Sequence, residues 1–232
     1  MEHLVYYDIA AAFVLLTALV AYHLRKYSDN FQSRVYRVML YALLVVSTSD
    51  FLLFWEEITF GKTGTTVLLY ICILGQVVAA AAYLLYILCL TGRVERFIRK
   101  EKGWLFVPAW IVIALLVVQL FIPYLFKVGT DGSYQRQNGI MLFYLCMIYF
   151  YLMVEVFLVR FRKRLSFELL FSTTVFAVVS VFTLVLHIAF PGFRFQFFGM
   201  AMCVLLYLIS SERPQEYTVP ELEIMNLSLI HI

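Results

Sequence analysis

The chain has 232 residues, of which 63% are hydrophobic and 14% charged, with a formal net charge of +3 and a mean hydropathy of +0.88. Soluble domains carry about 25% charged residues, so this composition excludes an ordinary water-soluble domain. No nucleic-acid partner is expected, and the main partner is a lipid bilayer.

Apolar runs of about twenty residues, the length that crosses a bilayer as a helix, recur along the chain. They predict helices at about 5–24, 35–55, 65–90, 104–126, 140–159, 167–189 and 195–209. The expected fold is all-α, a polytopic membrane protein built as a seven-transmembrane-helix bundle over residues 1–209. Backbone groups in a bilayer find no water, so spans are helices or closed barrels. Continuous apolar runs lack the alternation of barrel strands. The first run does not read as a cleavable signal peptide, because Glu2 and Asp8 stand where basic residues belong. The seventh run is the shortest.

Loop charges orient the bundle. The loops after helices one, three and five, with Arg213 beyond helix seven, hold fourteen basic residues. The other side holds four, Lys62, Lys127, Arg136 and Arg194. The positive-inside bias then puts the N-terminus outside and the C-terminus in the cytoplasm of a bacterial inner membrane. The longest external loop, 127–139, contains the turn formers Gly129, Asp131, Gly132 and Gly139. Gly75 and the alanines at 79–82 read as close helix packing.

Polar groups inside apolar runs need an explanation, since an ionisable residue at a helix centre costs roughly 2.5–3.5 kcal/mol on insertion scales. Asp50, Gln76, Gln119 and His187 all fall in the outer half of their helices. Ser47 shares a face with Asp50, and Ser180 and Thr183 share one with His187. One reading is an outward-facing pocket in which Asp50 and His187, supported by Gln76 and Gln119, bind a small polar or cationic ligand and respond to pH near neutrality. The other leaves Asp50 at a wet helix end and His187 bonded to a neighbouring helix. Glu155 lies a turn before Arg160 near the cytoplasmic end of helix five. Glu155 either pairs with Arg160 or another basic loop residue, or belongs with Arg160 to a relay that carries helix motion inward. Cys72, Cys89, Cys146 and Cys203 sit in apolar runs with no metal-ligand spacing, so neither a metal nor a cofactor is expected.

Several chemistries are absent. The last run has no lysine for a retinal Schiff base, and the Asp-Arg-Tyr and Asn-Pro-x-x-Tyr patterns of G-protein-coupled receptors are missing. After Glu56-Glu57, Gly61 stands where the CAAX-type intramembrane proteases have arginine. No catalytic site is expected within this chain.

The layout of seven helices, short loops and an exit into Arg213-Pro214-Gln215-Glu216-Tyr217 resembles the N-terminal sensor regions of bacterial diguanylate cyclases and histidine kinases. Leu222-Glu223-Ile224-Met225-Asn226 is similar to the T-G-x-x-N step that opens a GGDEF domain, with Asn226 in register; Leu222 and Glu223 replace its threonine and glycine. The resemblance implies that 210–226 is a cytoplasmic linker toward an output domain, a cyclase before a kinase, through which the protein would form a homodimer. A small ligand or membrane signal would regulate that output. The alternative is a small-solute transporter or permease component. The final six residues, 227–232, match one frame of a transposase adapter used for sequencing libraries and are expected to be a scar, so His231 carries no weight.

Overall fold

The computed structural model describes residues 2–24, 30–59, 61–92, 103–130, 132–190 and 196–210. The linker and the six-residue terminal segment, 211–232, lie outside the described residues, as do the 93–102 loop, Arg25 and Lys26. Seven α-helices stand among the described residues: α1 (Glu2–Leu24), α2 (Phe31–Thr59), α3 (Gly61–Leu90), α4 (Val107–Gln119), α5 (Ile140–Phe161), α6 (Phe167–Ala189) and α7 (Gln196–Ser210). Five of them, α1, α2, α3, α5 and α6, are long and apolar enough to cross a membrane. α4, even with the 3-10 turn Trp104–Phe106 before it, and α7 are shorter apolar helices.

Two expectations are corrected. Helix four was expected to run over 104–126, but it stops at Gln119. The Ile122 amide still reaches the Val118 carbonyl at 2.9 Å. Pro123 then has no N–H to continue the ladder, and it disfavours helical geometry in the residue before it. The chain goes on into a hairpin, β1 (Phe126–Val128) paired antiparallel with β2 (Tyr134–Arg136), with Phe126 opposite Arg136. The fold is therefore mostly helical rather than wholly α. The second correction concerns 56–64, expected as a loop. α2 continues to Thr59 and α3 starts at Gly61, whose φ of +71° is open to glycine and lets the chain reverse almost at once.

The helices close into a ring in which α1 packs on α2, α2 on α3, α3 on α5, α5 on α6, α6 on α7, and α7 back on α1. α4 lies outside this ring against α3 and α5. α3 has the largest buried share of the five long helices, 61% of its span. It packs tightly on α2 at Gly75, where an added Cβ would overlap Val46 Cγ2. Tyr83 of α3 reaches α6, donating to the Thr173 carbonyl at 2.7 Å and meeting the Phe176 ring at a tilt of 51°.

α6 turns its small hydroxyls inward and several large apolar groups outward. On α6, Ser172, Thr173, Ser180 and Thr183 are buried, whereas Phe171, Val178, Phe182 and Val185 are exposed. Ser180 and Thr183 return their hydroxyls to the helix's own carbonyls, of Phe176 at 2.7 Å and Val179 at 2.8 Å. A face this apolar is poorly solvated by water but well matched to lipid, so the surface is consistent with membrane residence.

Candidate functional site

The hairpin caps one end of the bundle. Its root is held by Gln119 at the end of α4, which donates from Nε2 to the Phe126 carbonyl and accepts at Oε1 from the Leu125 amide, both at 2.7 Å. The buried Phe126 sets its ring edge-on to Tyr70 of α3 at 5.7 Å, and Tyr70 donates to the Leu116 carbonyl of α4 at 3.2 Å. At the far side of the hairpin, Arg136 reaches the end of α6. Its Nη1 donates to the His187 carbonyl at 3.2 Å, and its Nη2 lies 2.9 Å from His187 Nε2. Its guanidinium carbon stands 5.9 Å from the ring centre of Tyr144 on α5, and the same ring meets His187 edge-on at 6.1 Å.

The polar residues expected to form one pocket are thus distributed as follows. His187 is half-buried and joined to Arg136 and Tyr144. Asp50, half-buried on α2, lies within electrostatic range of the same Tyr144. Tyr144 is therefore the group that Asp50 and His187 share. Gln119 belongs to the same end, but both ends of its amide are taken by backbone. Gln76 is half-buried on α3, beside Gly75, and no hydrogen bond links it to this cluster. Ser47 is buried and donates to the Asp8 carbonyl of α1 at 3.2 Å.

Arg136 changes the chemistry foreseen for His187. A guanidinium has only donors, so in this contact His187 Nε2 is the acceptor. Sequence reasoning counted Arg136 only as a loop charge and missed Asp8, whose side chain is fully buried in α1. Arg136 lies in what reads as a polar loop, and only the turn formers around it hinted at a hairpin.

A second polar group lies in the other half of the bundle. Tyr83 and Glu155 are within electrostatic range, as are Tyr83 and Tyr151, and Tyr151 bonds to Ser180. Beside Tyr83 is a cavity of about 10 Å³, lined in part by Tyr36, Tyr86, Thr173 and Phe176, enough for roughly one water. Glu155 Oε1 is buried and accepts no hydrogen bond among the described residues. Glu155 makes no ion pair with the exposed Arg160, and the 93–102 loop, which holds other basic residues, lies outside the described residues. Five residues advance a helix by about 140° beyond a full turn, which carries the two side chains to different faces. Glu155→Gln is therefore expected to unfold at or above the wild-type temperature. A fall of more than about 4 °C, roughly 1 kcal/mol for a chain of this length, would mean that the carboxylate has a partner that stabilises the fold.

Among the described residues, no group of three His, Cys, Asp or Glu side chains is placed to hold a metal, and no disulfide joins the four cysteines. Comparison with family models, curated proteins and solved structures gave no match, so the site is read from its own chemistry.

Proposed function

We infer that this chain is the sensory part of a membrane signalling protein. It crosses a bacterial cytoplasmic membrane seven times, with the N-terminus and the hairpin end outside and the C-terminus in the cytoplasm. Residues 210–226 lead to an output domain, a diguanylate cyclase first and a histidine kinase second, through which two copies associate. The chain's own role in this reading is to bind and transmit, not to catalyse. α4 and α7 cross with help from flanking residues and local thinning of the bilayer, since 15 helical residues span only about 22 Å.

The observation that carries the reading is the contact between the hairpin and α6. Arg136 ties an external segment to the end of α6, and α6 packs along α7, the helix that leads toward the 211–226 segment. A ligand or membrane signal acting at the Asp50–Tyr144–His187 end can favour one position of α6 over another. Glu155, on the α5 face near Tyr83, would feel the same shift on its way to Arg160 and the cytoplasmic loop. Only a difference in ligand affinity between two states moves such an equilibrium, and typical couplings are about 1–3 kcal/mol.

A second reading, a small-solute or proton transporter, is favoured by the buried Glu155 oxygen and the water-sized cavity near Tyr83. The sequence shows neither an inverted repeat nor a pair of Gly/Pro-broken helices, which weighs against it.

A reporter that works only in the cytoplasm, fused after Glu216, is expected to be active. Activity from an exported reporter at that position, with the cytoplasmic one silent, would refute the orientation. Reading the gene past codon 226 in an independently cloned copy separates the two functions. An open frame into a cyclase or kinase domain supports the sensor, and an in-frame stop favours transport.

A further inference from the structure

The outward faces of α5 and α6 end at the same charged turn. On α5, Leu152, Val156 and Val159 are exposed, and on α6, Phe167, Phe171 and Val178 are exposed. Their spacing keeps each set on one face of its helix. Between the two helices the chain makes a 3-10 turn, Arg162–Arg164, closed by the Leu165 amide on the Arg162 carbonyl at 3.4 Å. Ser166 then caps α6 by accepting from the Leu169 amide. α5 and α6 pack on each other, so this short turn is held at both ends. Arg160, Arg162 and Lys163 are exposed around it, and the sequence adds Arg164 against one acidic residue, Glu168. Just beyond them in the chain, the Phe167 and Phe171 rings stack with centroids 6.2 Å apart, 80% and 60% exposed.

A topology signal needs basic residues on one side of the membrane, not at the shared end of two apolar faces. A soluble anion would meet the cations but leave both rings in water. Uncharged lipid would cover the rings but give the cations no counter-ion. A molecule with an anionic head and apolar chains matches both. The geometry points to a binding site for an anionic phospholipid at the α5–α6 turn, with its phosphodiester among Arg160, Arg162 and Lys163 and its chains along the exposed faces of α5 and α6. Guanidinium groups take two phosphate oxygens together, and lysine adds a point charge. The positive end of the α6 dipole strengthens the same field, and Glu168 in that first turn offsets part of it. Exposed ion pairs are worth little, so lipid competes for these cations whatever acidic residues 93–102 and 211–226, outside the described residues, bring to this end. A lipid seated here touches both helices, and α6 packs along α7. Affinity that differs between two arrangements of α6 would shift their balance and so regulate the proposed output. The inference rests on the membrane placement and orientation in the proposed function.

The test uses the full chain in a mild non-ionic detergent, titrated at constant ionic strength with phosphatidylglycerol, phosphatidylcholine or glycerol 3-phosphate. The thermal midpoint is the readout, since a ligand that binds only the folded state raises it in a saturable way. Phosphatidylglycerol is expected to raise it and phosphatidylcholine to do so far less. Glycerol 3-phosphate, which has the phosphate without the chains, is expected to leave it unchanged. Arg160→Gln, Arg162→Gln and Lys163→Gln are each expected to weaken the apparent affinity about fivefold, the worth of one cation at an anionic surface. Arg34→Gln combined with Arg37→Gln removes two charges at the start of α2, and is expected to change it by no more than about twofold, since salt screens charges outside the site. Phe167→Ala combined with Phe171→Ala is expected to weaken binding, whereas Phe182→Ala, exposed farther along α6, is not. If an arginine variant does not fold, Lys163→Gln and the phenylalanine pair remain informative. No saturable response to phosphatidylglycerol, or an equal response to glycerol 3-phosphate, would overturn the site. So would an equal loss in the Arg34–Arg37 pair, which would mean diffuse attraction to a basic surface, or no loss in the phenylalanine pair. The reporter fusion is independent of these titrations, so a failed orientation and a failed lipid site give different results.

Discussion

Gly75→Leu is expected to separate α2 from α3 and to destabilise the bundle strongly. A Cβ at this position would already overlap Val46 Cγ2, with the Ala42 carbonyl 3.7 Å away. Val46 is fully buried, and a valine in a helix has essentially one χ1 rotamer, so its methyl cannot swing aside. Overpacking of this kind costs about 1–3 kcal/mol and occasionally more. The gain in helix propensity on replacing glycine, about 0.5–1 kcal/mol, is too small to offset it. Leucine, with three further carbons to place, belongs at the upper end, about 3 kcal/mol. The unfolding midpoint in mild detergent should fall by several degrees for Gly75→Ala and by more for Gly75→Leu. Adding Val46→Ala should restore part of the loss in Gly75→Ala, because it removes the methyl that is struck. Wild-type midpoints for both single variants, or a double variant no better than Gly75→Ala, would show that α2 and α3 do not meet at this point.

Phe126→Ala is expected to release the hairpin. The side chain is 1% exposed and packs against Tyr70 of α3 and Tyr134 of β2. Truncating a buried phenylalanine costs about 3–5 kcal/mol, the lost contacts plus the cavity left behind. The hairpin has only three residues in each strand, so it cannot hold its position alone. Amide exchange over 126–136 should accelerate, and the Arg136–His187 contact should loosen with it. Lys127→Ala, one residue on and exposed, should stay within about 0.5 kcal/mol of wild type. Unchanged exchange in Phe126→Ala would mean that Gln119 and the backbone alone hold the hairpin.

Much of the helical scaffold was legible in the chain because each helix satisfies its own backbone within one apolar run. Hydropathy alone therefore located α1, α3, α5, α6 and α7 to within a few residues, and the Gly75–alanine stretch read as a packing face. The errors fell where one residue overrides a run. Pro123 cut helix four short even though apolar residues continue past it, and Gly61 turned an expected loop into a near-continuous reversal. A hairpin of two three-residue strands has too short a pattern to register against such a background.

The polar site was only half legible. The cost of placing Asp50 and His187 among apolar residues marked them from sequence, since that cost depends on residue type and depth. Which groups they meet depends on the closing order of the ring and on a loop that folds back over its end. Only the tertiary structure brought Arg136 to His187, set Tyr144 within range of both His187 and Asp50, and turned the Gln119 amide to the backbone. The burial needed for the fold follows from local composition, but the pairing of charges is decided by contacts between residues as distant as 136 and 187, which no local pattern encodes.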